Sequence, residues 1–188
     1  FLAETRIRPI LPFHLQPRRY EAPLRGAHAS ITAEQQDVMT IRPLGQQDEQ
    51  AIEALLDAAF GTDRHTRTAY AIRNGMRWLP DLSHALLNDD GVMIGLLQSW
   101  PVALDDGETA PAHLVMVGPV AVHPDHQGEG YGRMLMDHMV PLARASGSPP
   151  LVMIGDPEYY ERFWGFSADA TGGWSVPGPV DPKRLLTL

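Results

Sequence analysis

The stretch Gly118-Pro-Val-Ala-Val-His-Pro-Asp-His-Gln-Gly-Glu-Gly-Tyr-Gly-Arg133 decides how this chain is read. It starts as a buried-type strand, passes through a glycine-rich turn and opens directly into a helical period. From Tyr131 on, Met134, Leu135, His138 and Leu142 share one helical face, and Gly147 closes the segment. Such a turn is a ready anion site. The first N–H groups of a helix have no intrahelical acceptor, and the macrodipole places partial positive charge there. Gly128, Gly130 and Gly132 lack a Cβ, so phosphate oxygens can approach the backbone, and Arg133 can add a charge-assisted bond. A dinucleotide fingerprint would need glycine at 133, where Arg133 stands, and no Gly-Lys-Ser/Thr follows to make a P-loop.

Working outward, Met39-Thr-Ile-Arg-Pro-Leu44 reads as a strand, and Ile52, Leu55, Leu56, Ala59 and Phe60 form the apolar stripe of a first helix that ends at Gly61. A weaker helix is expected over 64–74. His84–Asn88, the turn Asp89-Asp90-Gly91 and Val92–Leu97 form a hairpin signal, and a second Asp-Asp-Gly turn at 105–107 leads into a strand over 113–122. Pro141 should kink the helix after Tyr131 or end it early. Leu151–Gly155 reads as a short buried strand, and Asp156-Pro157 as an N-cap and first helical residue. Another strand is expected from Phe166. The order, βααβββαβαβ, is that of a mixed α/β domain. Residues 1–38 hold Pro9, Pro12, Pro17 and Pro23 and keep no period, so the expected domain is 39–188, with 1–38 as an extension outside the catalytic core and the last strand incomplete at Leu188.

Composition narrows the function classes. With 188 residues and 44% hydrophobic content the chain has room for one packed domain. There is no cysteine, which rules out disulfides, thiolate nucleophiles and zinc–thiolate sites and fits a cytoplasmic setting. The formal charge of −8 is unevenly spread, at +1 over residues 1–38 and −9 beyond. So acidic a body argues against nucleic-acid partners and mildly favours cationic ones. No apolar run reaches the ~18 residues of a membrane helix. His123, Asp125 and His126 look like a metal cluster on paper, but they sit in the turn entering the glycine loop and no further ligands converge, so no metal is expected.

The segment Gln127-Gly128-Glu129-Gly130-Tyr131-Gly132 matches Q/R-x-x-G-x-G/A, the pyrophosphate signature of the GNAT superfamily of N-acetyltransferases. Together with Gly118–Val122 and Gly155–Phe166, it makes residues 39–188 resemble the YhbS-type branch of that superfamily. The resemblance implies a mixed, mostly antiparallel sheet of six to seven strands flanked by about four helices, splayed between its fourth and fifth strands. It further implies acetyl-CoA as co-substrate, an amine as acceptor and a homodimer as one option for assembly. Pantetheine would lie along the backbone of Val120, Ala121 and Val122, and the pyrophosphate would lie on Gln127 through Gly132 with Arg133 beside it. Gly118-Pro119 is compatible with the splay, because proline cannot donate to a ladder and the pair suggests a bulge.

The family also carries a tyrosine near the departing thiolate as general acid, four residues before the glycine of Gly-Phe. Four back from Gly165 is Glu161, and Tyr160 stands five back, so the chain holds one extra residue, placed at Trp164. Tyr160 is the preferred acid and Tyr159 the alternative. His113 is a candidate general base for the attacking amine. The rival to an enzyme is a domain that binds acyl-CoA as a sensor or scaffold without turnover.

Overall fold

The computed structural model describes residues 5–10 and 39–188. An eight-stranded sheet forms the middle layer, ordered β2-β3-β4-β5-β6-β8, with β1 added alongside β4 and β7 alongside β1. The strands are β1 (Thr5–Pro9), β2 (Thr40–Pro43), β3 (His84–Leu87), β4 (Met93–Asp105), β5 (Ala112–Val122), β6 (Leu151–Ile154), β7 (Trp174–Ser175) and β8 (Leu185–Thr187). The helices are α1 (Glu49–Phe60), α2 (Thr68–Ile72), α3 (Tyr131–Ala145) and α4 (Pro157–Trp164). Alternation along the central strands sends side chains to both faces. Leu86, Leu97, Val115, Val117 and Met153 pack beneath α3 with Leu135, Met136 and Met139. Leu96, Ala121, Trp100, Val102 and Met116 face the α1–α2 side. No described helix is long and apolar enough to cross a membrane.

Several expectations are corrected. First, Thr5–Pro9 is a strand despite the prolines around it. It pairs antiparallel with β4 from Arg6↔Asp105 to Pro9↔Val102, and Ile7 is 1% exposed in the core. Residues 11–38 lie outside the described residues. Second, β4 does not stop at Leu97 but runs through Pro101 to Asp105. Pro101 is tolerated because pairing with β3 ends at Leu97 and pairing with β1 begins at Val102, so no partner on that edge needs its missing N–H. Third, Pro141 lies within α3, which continues to Ala145. It is on the exposed face, where water can serve the carbonyl one turn earlier. Fourth, the strand expected from Phe166 is a single bridge, Ser167↔Thr187, and the regular strand is Trp174–Ser175 against β1. β1 and β7 raise the strand count above the expected six to seven. The expected helix over 64–74 is a 3-10 turn over Thr62–Thr66 followed by the five residues of α2.

Candidate active site

The site begins with a defect in the sheet. Antiparallel pairing between β4 and β5 jumps from Leu97↔Val120 to Ser99↔Val117, so Gly118 and Pro119 together face Gln98 alone. This is a bulge, and Gly118 at φ 129° adopts a backbone conformation that side chains disfavour. Two donors hold the Gly118 carbonyl: Trp100 Nε1 at 2.8 Å and Arg73 at 3.0 Å.

Beyond the bulge β5 loses its other neighbour. Parallel pairing with β6 covers only Val115↔Leu151 and Met116↔Val152, and β6 turns instead to β8 from Val152↔Thr187 to Ile154↔Leu185. The β6-side edge of residues 117–122 therefore faces an opening. His123 N–H bonds the Ile94 carbonyl on β4, so by alternation Val122 and Val120 turn their backbone groups to the opening, and Ala121 turns towards β4. The Val122 carbonyl accepts from Gln127 Nε2 at 3.3 Å. Of the three residues expected along this edge, Val120 and Val122 have that orientation, and Ala121 is buried against the α1 side.

The glycine loop stands at the end of the same edge. Gly130 is the N-cap of α3 in the left-handed region at φ 86°, with Gly128 at 87°, and a Cβ at either would meet nothing within 4 Å. Gly132 sits over the strand end, where an added Cβ would lie 3.9 Å from the side chains of Val120 and Val122. Arg133 is drawn away from the loop. Its Nε is 3.4 Å from Asp137 and its guanidinium lies 4.4 Å over the Phe163 ring.

A cavity of about 880 Å³ fills the gap between β5 and β6. Its walls include Val117–Val120 on one side and Met153–Asp156 on the other, with α2, α4 and the segment 179–184 around them. Both tyrosines of α4 line it. Tyr159 is exposed, while Tyr160 is half-buried against Trp164 and Phe166, with ring centroids 5.6 and 6.2 Å away. Burial, with the charges of Tyr159 and Asp156 adding to it, pushes the Tyr160 hydroxyl up to about 12. It therefore stays protonated through neutral pH and can donate. Asp156 caps α4 by accepting from Glu158 N–H at 3.1 Å, as the Asp-Pro pair predicts.

His113 does not fit the role of base. It is exposed near the start of β5, paired with Ala103 before the bulge, and does not line the cavity. Among the described residues no group of three or more His, Cys, Asp or Glu could hold a metal ion. Sequence reasoning missed Arg73, Trp100 and the second role of Gly155. A Cβ on Gly155 would lie 2.6 Å from Tyr160 Cδ2, so glycine there is what lets the Tyr160 ring settle on the end of β6.

The domain family described as "Acetyltransferase (GNAT) domain" matches residues 40–167, which include both the bulged strand and the glycine loop. The chain belongs to the GNAT acetyltransferase family. Among family members, it is 28% identical over 116 residues to the Escherichia coli K12 protein named "Uncharacterized N-acetyltransferase YhbS", a match covering 62% of this chain and 66% of that one. The chain thus spans just under two thirds of the curated relative it matches. The crystal structure of the Escherichia coli YhbS N-acetyltransferase in complex with CoA has a TM-score of 0.65 and 25% identity, covering 85% of this chain and 84% of that one. A GNAT acetyltransferase from Brucella melitensis in complex with acetyl-CoA has a TM-score of 0.55 and 27% identity, covering 80% and 96%.

Proposed function

We propose that this chain transfers an acetyl group from acetyl-CoA to a primary amine. The observation that carries the reading is the opening between β5 and β6 that leads to a helix N-terminus built on glycines. Pantetheine would extend along the open edge at Val120 and Val122, and the pyrophosphate would take the amides of the Gln127–Gly132 loop. Arg133, held by Asp137 and Phe163, would need to swing to reach a phosphate. The neutral amine attacks the thioester carbonyl, a C–N bond forms and the C–S bond breaks. The attacking nitrogen gives its proton to water, the thiolate takes one from the Tyr160 hydroxyl, and the phenolate left behind recovers a proton from water. Most of the rate would come from holding the two reactants in line, with backbone N–H groups of the bulged strand polarising the carbonyl.

A cytoplasmic location fits the cysteine-free composition. The relatives solved with CoA and with acetyl-CoA support the choice of co-substrate. The test is release of CoA thiol from acetyl-CoA across a panel of amines, with Gly130→Val as control. The Val side chain at φ 86° would be strained and would project into the space open around Gly130. Amine-dependent thiol release lost in Gly130→Val supports the proposal. Acetyl-CoA binding without turnover on any amine would turn the reading to a sensor domain.

A further inference from the structure

Four guanidinium groups line the cavity, from Arg64, Arg67, Arg73 and Arg184, against two carboxylates, Asp156 and Asp181, although the chain as a whole carries −8. Arg64 is neutralised by Glu53 and by Asp57 at 2.7 Å. Among the described residues, the other three are held by carbonyl, hydroxyl and ring partners rather than by a carboxylate in contact. Arg67 donates to the Phe60 carbonyl at 2.9 Å and lies 5.3 Å over that ring. Arg73 donates to the Gly118 carbonyl at 3.0 Å and lies 3.9 Å from the Tyr70 ring centroid and 4.8 Å from that of Trp100. Arg184 donates to the Gly155 carbonyl at 3.1 Å. Among the described residues, none of these three makes an ion pair with a carboxylate. The two acids of the lining are already used as caps, Asp156 for Glu158 and Asp181 for Lys183.

Arg73 is the telling member of this set. It is 6% exposed, with Glu53 acting on it only through its charge and no carboxylate in contact, and a buried cation kept that way is costly. Burial pulls its guanidinium down to about 10, still charged at neutral pH. It stands where the β5–β6 cavity meets a second one of about 730 Å³ over Trp78 and Gln98; Arg67, Tyr70 and Arg73 line both, and the second adds Glu49 and Glu53, the latter already paired with Arg64. The glycine loop proposed for the CoA phosphates lies at the far end of the β5 edge, past Val122. The unpaired cations therefore gather at the acyl end of the cleft, where an acceptor must enter.

We infer that the acceptor is an amine that also carries a carboxylate, and that Arg67 and Arg73 hold that carboxylate in the cavity. A planar guanidinium presents paired N–H groups that match the two carboxylate oxygens, and removing both charges from water at such a site strengthens the pairing. Placing the carboxylate beside Arg73 sets the amine of a small amino acid within a few bonds of the Gly118 bulge. The inference rests on the acetyl-transfer reading and deepens it. It also reverses the impression left by overall composition, because the net charge favours cationic partners and the cavity does not.

The test uses acetylated products, so it needs no turnover. The full chain, with and without saturating CoA, is titrated by calorimetry with N-acetylglycine, N-acetyl-L-phenylalanine and N-acetyl-L-glutamate, each against its uncharged C-terminal amide. At least one acid should bind tenfold or more tightly than its amide. Exposed Arg67 can be replaced without threatening the core, and Arg67→Gln should bring that ratio below threefold while CoA affinity stays within twofold. Arg73→Lys should retain part of the preference and Arg73→Met should lose it. Acids and amides that bind alike, or acids that do not bind at all, would overturn the inference. CoA affinity, read in the same titrations, separates its failure from failure of the acetyl-transfer reading. If CoA binds and no acid is preferred, only the acceptor class is wrong.

Discussion

Replacing Gly155 with alanine displaces the proposed acid without changing its chemistry. Gly155 is not among the glycines with positive φ, so alanine meets no backbone penalty there and the effect is purely steric. The new methyl would lie 2.6 Å from Tyr160 Cδ2, 2.7 Å from Cε2 and 3.3 Å from the Met153 methyl. Ordinary carbon contacts lie at roughly 3.5–4.0 Å, so the ring must retreat by about 1 Å. The rings of Trp164 and Phe166 pack against it at 5.6 and 6.2 Å, which limits how far it can move freely. A misplacement of about 1 Å in a reacting group costs on the order of 10²-fold in rate, and overpacking of this size costs about 1–3 kcal/mol of stability. We expect kcat, read as thiol release, to fall roughly 10- to 100-fold, with a lower Tm and a CoA affinity little changed. A variant that shows the lower Tm but keeps kcat within twofold would refute the coupling between the Tyr160 position and turnover.

Other outcomes follow from the same geometry. Tyr160→Phe keeps the ring packing and should lower kcat by on the order of 10²-fold or more, the scale of general-acid catalysis, with stability nearly unchanged. Tyr159→Phe should do little, and an exchange of behaviour between the two would move the acid to Tyr159. Ile7→Ala empties a core position in β1 and should cost about 2–5 kcal/mol by denaturant titration. A cost near zero would return residues 1–38 to the role of a dispensable extension. His84 is 4% exposed, and its ring is 4.6 Å from that of His138. Burial, then the charge of His138, pulls His84 down to about 4. A folded-state value below the unfolded one, near 6.5, means its stabilising contribution is present above about pH 6.5 and is lost as pH falls towards 4. Denaturant midpoints should therefore fall over that window, and His84→Leu should flatten the slope. A slope unchanged in His84→Leu would assign the acid sensitivity elsewhere.

Much of the site was legible because its residues are constrained by backbone geometry. Glycines at 128 and 130, each with positive φ, and the Gly118-Pro119 bulge leave marks in the sequence that need no tertiary context. The helix starts at Tyr131 and Pro157 were legible for the same reason. Long-range pairing leaves weaker marks. β1 hides among prolines, and distant partners make it a strand: β4, 93 residues later in the register Pro9↔Val102, and β7 beyond it. The length of β4 was masked by Pro101, whose cost depends on an edge that sequence does not reveal. Arg73 sits in a segment of weak period, and beyond its neighbour Tyr70 its value comes from two distant partners, Gly118 and Trp100. Gly155 was noticed as part of a pattern, yet its closeness to the Tyr160 ring is a matter of packing.

The most direct test of the account is a crystal structure of the full chain with CoA. The pyrophosphate should lie within about 2.7–3.2 Å of backbone N–H groups in the Gln127–Gly132 loop or the first turn of α3. The pantetheine should run along the open edge of β5 at Val120 and Val122, bringing the sulfur near Tyr160. CoA seated elsewhere, or a gap between β5 and β6 filled by protein with no room for pantetheine, would contradict it.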